Sequence, residues 1–392
     1  RAFVLAARGE ADVQEARGMF RVQDSLRVRC TTQSLDSLET GAAQNAVTLS
    51  GQLTCAGQSV PYTLTFSALD ERQVAFDLRL ADPSFNRIFL TYASDRQEHF
   101  WGFGEQFTYL DLKGRRVPIW VSEQGVGRGE QPITLGADLT NDGAGGAWYT
   151  TYAPMPHYLT SRMRSLFLDT SAYSVFDLRA DDFVQVQVWD AGLQGRVFYG
   201  DSPLDLLETY TAWAGRMSPL PDWLLHGVVV GMQGGTDRVR EVYAQLKERH
   251  VPVAAFWLQD WVGQRTTSFG KQLWWNWELD EDRYPGWDAL QSDLEADGVR
   301  LMVYVSPFLA DVSEKSNVRR NLFAEARDLG YLVKDASGAP YMLQNTSFSA
   351  ALVDLSNPQA YAWYRDVLRE QLGRAHAAGW MADFGEALPW DA

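Results

Sequence analysis

From Val47 to Gly200 apolar and polar residues alternate with a period of two, as in Val60-Pro-Tyr-Thr-Leu-Thr-Phe66, Val74-Ala-Phe-Asp-Leu-Arg-Leu80, Ile88-Phe-Leu-Thr-Tyr92 and Phe183-Val-Gln-Val-Gln-Val-Trp189. Side chains alternate between the two faces of a strand, so these runs predict half-buried antiparallel strands, and the Gly, Asn and Asp between them predict turns. Together they imply a β-sandwich, with helices nearly absent before residue 200.

The period then changes. Ser202-Pro203 reads as a helix start, with Leu206, Leu207, Tyr210 and Trp213 on one face. After Pro219-Leu-Pro221 short apolar runs alternate with amphipathic ones. Strands are expected at 227–232, 253–258, 299–306 and 380–384. The helices between them are marked by Val239, Val242 and Leu246, by Trp287, Leu290 and Leu294, by the run 318–329, and by Asn357-Pro358 through Ala378. Repeated strand then helix predicts a parallel sheet. The polar residues that follow these strands are Gln233, Gln259, Asp260 and Asp383. The C-terminal ends of barrel strands are where a (β/α)8 TIM barrel carries its chemistry. An open doubly wound sheet is the alternative, but Gly234-Gly235-Thr236 lacks the spacing of a phosphate loop. The expected organisation is an N-terminal β-sandwich over residues 1–200, a linker helix over 201–222, and over 223–392 the first four strands of a (β/α)8 catalytic barrel.

Composition narrows the chemistry. Hydrophobic residues make up 46% and charged residues 22%, which is globular, and the apolar runs fall well short of a membrane span. A net charge of -15 argues against nucleic acid or an anionic membrane as partner, because phosphate binding needs clustered Lys and Arg. A small neutral substrate fits better, and the 15 Trp, 16 Tyr and 19 Phe read either as faces on which a carbohydrate stacks or as the filling of large hydrophobic cores. Cys30 and Cys55 are too few for a disulfide framework, and the run Arg1 to Glu10 has no apolar stretch with a cleavage site, so a cytoplasmic setting is expected. His99, His157, His226, His250 and His376 lack metal-ligand spacing and stand near no nucleophile motif, so no metal, cofactor or hydrolase triad is expected.

A carboxylate on the interior face of a strand is costly unless paired or used, and Asp383 closes the apolar run Gly379-Trp-Met-Ala-Asp383. Asp260, with Trp261, Trp274, Trp275 and Trp277 close in sequence, gives it company. Retaining glycoside hydrolysis needs a carboxylate nucleophile and a carboxylic acid about 5 to 5.5 Å away. Asp383 is the candidate nucleophile, and Glu386, three residues on, the candidate electrostatic support.

The run Trp380-Met-Ala-Asp-Phe-Gly-Glu386 resembles the signature Trp-x-Asp-Met-Asn-Glu of glycoside hydrolase family 31, in which the Asp is the nucleophile. Gly298-Val-Arg-Leu-Met-Val-Tyr-Val-Ser-Pro307 and Phe100-Trp-Gly-Phe-Gly-Glu-Gln106 resemble other segments of that family in the same order. Ser122-Glu-Gln-Gly-Val-Gly-Arg128, Gly231-Met-Gln-Gly-Gly-Thr236, Gln259-Asp-Trp261, Thr267-Ser-Phe-Gly-Lys271 and Trp275-Asn-Trp277 resemble its sulfoquinovosidase branch. The resemblance implies that Asp260 holds sugar hydroxyls and that Glu123, Gln233, Gln259 and Trp275 bind substrate. It also implies that the acid/base Asp comes from a later strand than any of the four. Gln272 stands where that branch has an Arg that meets the sulfonate. An amide there forfeits a charge-assisted contact worth about 1.5 to 3 kcal/mol. Arg265 or Lys271 could supply the charge. The expected activity is that of a retaining α-glycosidase on neutral α-glucosides, with α-sulfoquinovosides as the alternative and an inactive, truncated sugar-binding remnant as the reading from another class; the 392-residue chain by itself is expected to be inactive.

Overall fold

Two antiparallel sheets, one of six strands and one of nine, form the N-terminal unit, Arg1–Met217. The computed structural model describes residues 2–392 apart from 17, 42–44, 142, 269 and 346. Alternation does the work that the sequence predicts. Val60, Tyr62 and Leu64 of the strand Gln58–Ala68 point inward, as do Val184, Val186 and Val188 of Phe183–Val188, and all six share one core. Two long strands, Val4–Ala16 and Met19–Cys30, pair with each other ahead of the region where alternation is legible. Asp24 interrupts the face of Met19–Cys30 that carries Phe20, Val22, Leu26 and Val28, so its alternation is incomplete. One helix, Ile133–Thr140, interrupts the β-rich stretch.

The helix Pro203–Ala214 begins as expected, with the Ser202 side chain accepting from the Asp205 amide and proline in its first turn. Leu206 is buried under it, and Trp213 meets Phe167 edge-on at 5.0 Å. Cys30 and Cys55, expected to be too few for a disulfide framework, are joined to each other within the core, so cysteine usage no longer argues for a reducing setting.

His157 is 8% exposed, lies 3.9 Å from the Tyr210 ring in a near-parallel stack, and meets the Ser165 hydroxyl at 2.7 Å. Burial depresses its pKa to about 4, so it is neutral in the fold. The unfolded chain takes a proton near pH 6.5, so the stabilisation is present above that pH and is lost as pH falls through 4, by about 3 kcal/mol in all. Urea unfolding of His157→Phe should therefore lose about 3 kcal/mol less than wild type between pH 7 and pH 4. An unchanged difference between the two pH values rejects His157 as the source.

The C-terminal unit, Ser218–Ala392, is built on a four-stranded parallel sheet of Val228–Met232, Val253–Leu258, Arg300–Val305 and Gly379–Ala382, adjacent in chain order. Helices Thr236–Glu248, Trp287–Ala296, Leu322–Leu329 and Pro358–Arg374 connect them. The third helix starts at Leu322 rather than 318 because the Asn321 side chain caps it, accepting from the Ala324 amide. The fourth ends at Arg374, short of Ala378, with His376 in the left-handed region. Phe256, Leu258, Leu301 and Val303 of the inner strands pack with Leu290 and Leu294. A Cβ on Gly231 would stand 2.8 Å from the Trp257 ring, so only glycine lets that indole cross the first strand. Val228, Val229, Trp380 and Met381, on the two outer strands, remain exposed. Among the described residues no helix is long and apolar enough to cross a membrane.

Two further elements were not legible in sequence. A hairpin, Gln264–Thr267 with Gly270–Leu273, follows the second strand, and a small antiparallel sheet of Phe308–Leu309, Leu343–Asn345 and Phe348–Leu352 follows the third. Phe269 of the Thr267 to Lys271 motif lies outside the described residues.

Candidate active site

Parallel pairing aligns the strand ends. Met232 is level with Leu258, Leu258 with Val303, and Val305 with Ala382. The residues just beyond these ends, Gln233, Gln259, Ser306 and Asp383, therefore gather along one edge of the sheet. The Gln233 amide donates to Gln259 Oε1 at 2.7 Å, and its own Oε1 accepts from Gln264 at 2.6 Å. The three amides form a chain whose remaining donors and acceptors suit hydroxyl groups.

Asp383 is half-buried, with its amide tied to the Val305 carbonyl at 3.1 Å. The Tyr304 hydroxyl donates to Asp383 Oδ2 at 2.7 Å. Burial pushes the Tyr304 phenol far above its ordinary pKa, and the carboxylates of Asp383 and Glu386 push the same way. Tyr304 is thus a permanent donor to Asp383. Phe384, next in the chain, has φ +64°, which costs a bulky residue about 1 to 2 kcal/mol. Its ring lies 5.2 Å from that of Trp275 and 5.9 Å from that of Phe308, and this packing holds the turn after Asp383 in place. Glu386 begins no strand; it sits half-buried in the short turn Gly385–Ala387.

Asp260 is placed differently. It has no exposed surface. Arg283 reaches Oδ2 with Nε at 2.8 Å and Nη2 at 2.7 Å, the Gly234 amide adds a bond at 3.1 Å, and the Tyr284 hydroxyl donates to Oδ1. Both oxygens are used inside the protein, joining the end of the second strand to the turn after the first. Trp275 is 6% exposed and stacked on Phe308 at 5.1 Å, with Phe348 edge-on at 5.2 Å, so it forms the wall of an aromatic cluster.

Within the hairpin, Arg265 stands directly across from Gln272 and Thr266 from Lys271. Cross-strand partners share a face and neighbours along a strand do not, so Lys271 points away from the Arg265 and Gln272 pair. Lys271 lines a polar cleft of about 410 Å³ with Asp280, Glu314 and Lys315. Glu123 belongs to the N-terminal unit, where it accepts from the Tyr152 hydroxyl at 2.7 Å. Tyr304, Gln264, Arg283 and Tyr284 escaped the sequence reading. Only Tyr304 left a signal, as a polar-tipped residue two before the end of an otherwise apolar strand run.

Among the described residues, no group of three or more His, Cys, Asp and Glu side chains is disposed to hold a metal ion. What the edge offers is an oriented carboxylate, neutral amides and aromatic walls, which suits nucleophilic chemistry on a polyhydroxylated substrate.

Residues 218–391 match the model of the glycosyl hydrolases family 31 TIM-barrel domain. The sulfoquinovosidase of Escherichia coli K12 is 36% identical over 98% of this chain and 55% of its own length. That of Agrobacterium fabrum is 34% identical over 99% and 55%. A solved structure of a sulfoquinovosidase of this family from E. rectale, in complex with an aza-sugar inhibitor, superposes with a TM-score of 0.90 at 34% identity, covering all of this chain and 56% of that one. The chain spans about half the length of the curated relatives it matches.

Proposed function

The chain belongs to glycosyl hydrolase family 31 through its barrel segment, residues 218–391, and from that premise we propose that the whole protein is a retaining glycosidase acting on α-sulfoquinovosides. One observation carries the chemistry: Asp383 directly follows the fourth parallel strand with its carboxylate held by the Tyr304 hydroxyl at 2.7 Å. In this reading Asp383 attacks the anomeric carbon while the bond to the leaving oxygen breaks and a carboxylic acid protonates that oxygen. A glycosyl ester forms with inversion. Water, deprotonated by the same acid/base, then attacks the anomeric carbon from the opposite side and frees Asp383, so the configuration is retained overall. The acid/base comes from the part of the relatives' length that this chain does not span. Gln233 and Gln259 meet substrate hydroxyls, and Glu386 adds negative charge beside the forming oxocarbenium ion. Asp260 acts indirectly, by holding the turn that carries Gln233.

The proposed substrate is the alternative of the sequence reading and not its main expectation. Gln272 favoured a neutral α-glucoside, whereas the relatives at 34% to 36% identity are sulfoquinovosidases, which supports the alternative. The full-length enzyme should show a kcat/KM on an aryl α-sulfoquinovoside at least tenfold above that on the matched aryl α-glucoside, with retained configuration in the first-formed product. A higher value on the glucoside, or inverted product, overturns the reading.

A further inference from the structure

Resting on the reading of Asp383 as nucleophile, we propose that Tyr304 divides the work between its two oxygens: Oδ1 forms the bond to the anomeric carbon, while Oδ2 stays on the Tyr304 hydroxyl through both steps. Tyr304 is then a positioning residue, acting on the substrate only through the carboxylate. The two oxygens are unlike. The hydroxyl meets Oδ2 at 2.7 Å, the length of a charge-assisted bond. Among the described residues no hydrogen bond or ion pair reaches Oδ1, and that atom is not shut off from solvent. Register builds this difference into the sheet. Tyr304 is level with Met381 across the parallel pair, so Asp383, two residues further on, leaves the same face one step along. Aromatic side chains are long enough to reach such a diagonal neighbour.

The donor itself is fixed. Tyr304 is 2% exposed, its ring lies 5.7 Å from that of Trp277 and 6.5 Å from that of Trp257, and its carbonyl accepts from the Trp261 indole at 2.7 Å. The Asp383 amide is bonded to the Val305 carbonyl at 3.1 Å, so turning of the carboxylate plane is the freedom that the Tyr304 bond removes. Attack through the bound oxygen would instead strip a buried phenol of its acceptor, which is costly. In the first step a lone pair of Oδ1 forms the bond to the anomeric carbon, the electrons of the glycosidic bond pass to the leaving oxygen, and that oxygen takes a proton from the acid/base. Oδ2 becomes the ester carbonyl, still accepting from Tyr304, whose proton does not move. In the second step water bonds to the anomeric carbon and gives a proton to the acid/base, while the bond to Oδ1 breaks and its electrons return to the carboxylate. The Tyr304 bond then strengthens, because a carboxylate is a better acceptor than an ester carbonyl.

The test uses the full-length enzyme and a 5-fluoro glycosyl fluoride of whichever sugar, sulfonated or neutral, the wild type prefers. Fluoride leaves without a proton and the fluorine at C5 slows release, so the ester accumulates and the rate of labelling reads the first step alone. Tyr304→Phe keeps the ring packing and should lower the limiting rate of labelling at least about tenfold, with the half-saturating concentration within twofold of wild type, since a misplaced nucleophile costs rate rather than binding. A smaller fall, or one carried by weaker binding, overturns the positioning role. A crystal structure of the labelled wild type, which depends on no variant folding, should show the sugar on Oδ1 and the Tyr304 hydroxyl within about 3.2 Å of the other oxygen. A sugar on the oxygen that faces Tyr304 overturns the assignment. Peptide mapping tells the failures apart: a label on a residue other than Asp383 removes the nucleophile reading itself, whereas a label on Asp383 with Tyr304→Phe unimpaired removes only the part given to Tyr304.

Discussion

Asp383→Asn in the full-length enzyme is expected to lower kcat by about four orders of magnitude or more, with folding intact. An amide accepts from Tyr304 as a carboxylate does, so the 2.7 Å contact and the turn at Phe384 survive while the ability to form a glycosyl ester is lost. The shorter Asp383→Ala variant distinguishes a nucleophile from a residue that merely orients. With sodium azide and an aryl α-glycoside it should give the β-glycosyl azide, because the small anion enters from the face that the carboxylate vacated in a single inverting displacement. Asparagine variant turnover within tenfold of wild type, or azide product of α configuration, removes Asp383 from that role.

Asp260→Ala should cost about 3 kcal/mol or more of stability, the largest loss expected of any single substitution at the strand ends. Removing one partner of a buried ion pair leaves the other uncompensated, and here Arg283 is 27% exposed while Asp260 is fully buried. Tyr284, whose phenol is pushed up by burial and by Asp260, also loses its acceptor. Because the Gly234 amide bonds the same carboxylate, the turn carrying Gln233 loosens too. Urea unfolding of the full-length protein measures the first effect, and KM on the sulfonated substrate the second. A stability change below 1 kcal/mol argues that Asp260 is not a structural anchor but free for sugar hydroxyls, as the family resemblance alone suggests. Asp260→Asn keeps an acceptor for only one of Gly234 and Tyr284, which bond different oxygens, and should fall between wild type and Asp260→Ala.

The candidate site shows how far local pattern reaches. Alternation of period two over Val60 to Phe66 and Phe183 to Trp189, and the switch to strand and helix after Pro221, are properties of neighbouring residues, so they are visible without knowing what packs against them. The position of Asp383 at the end of an apolar run is of the same kind. Helix ends were legible where a capping side chain is local, as at Ser202 and Asn357, and misread at 318–321, where the choice between Val318 and Asn321 depends on which side chain finds a free amide.

What only the tertiary structure decided depends on residues far apart in the chain. The resemblance implied that Asp260 holds sugar hydroxyls; Arg283, 23 residues on, takes it. Arg265 and Lys271 were equivalent sources of charge until the hairpin register set one beside Gln272 and turned the other away. Tyr304 became part of the site through a hydrogen bond spanning 79 positions. Cys30 and Cys55, unremarkable as two cysteines 25 residues apart, meet because their strands bring them into one core. Periodicity carries the orientation of a side chain relative to its own element, and by itself determined the two-part architecture and the strand that bears Asp383. Pairing register and burial carry its orientation relative to everything else, and they decided which of the polar residues at the strand ends are free to meet a substrate.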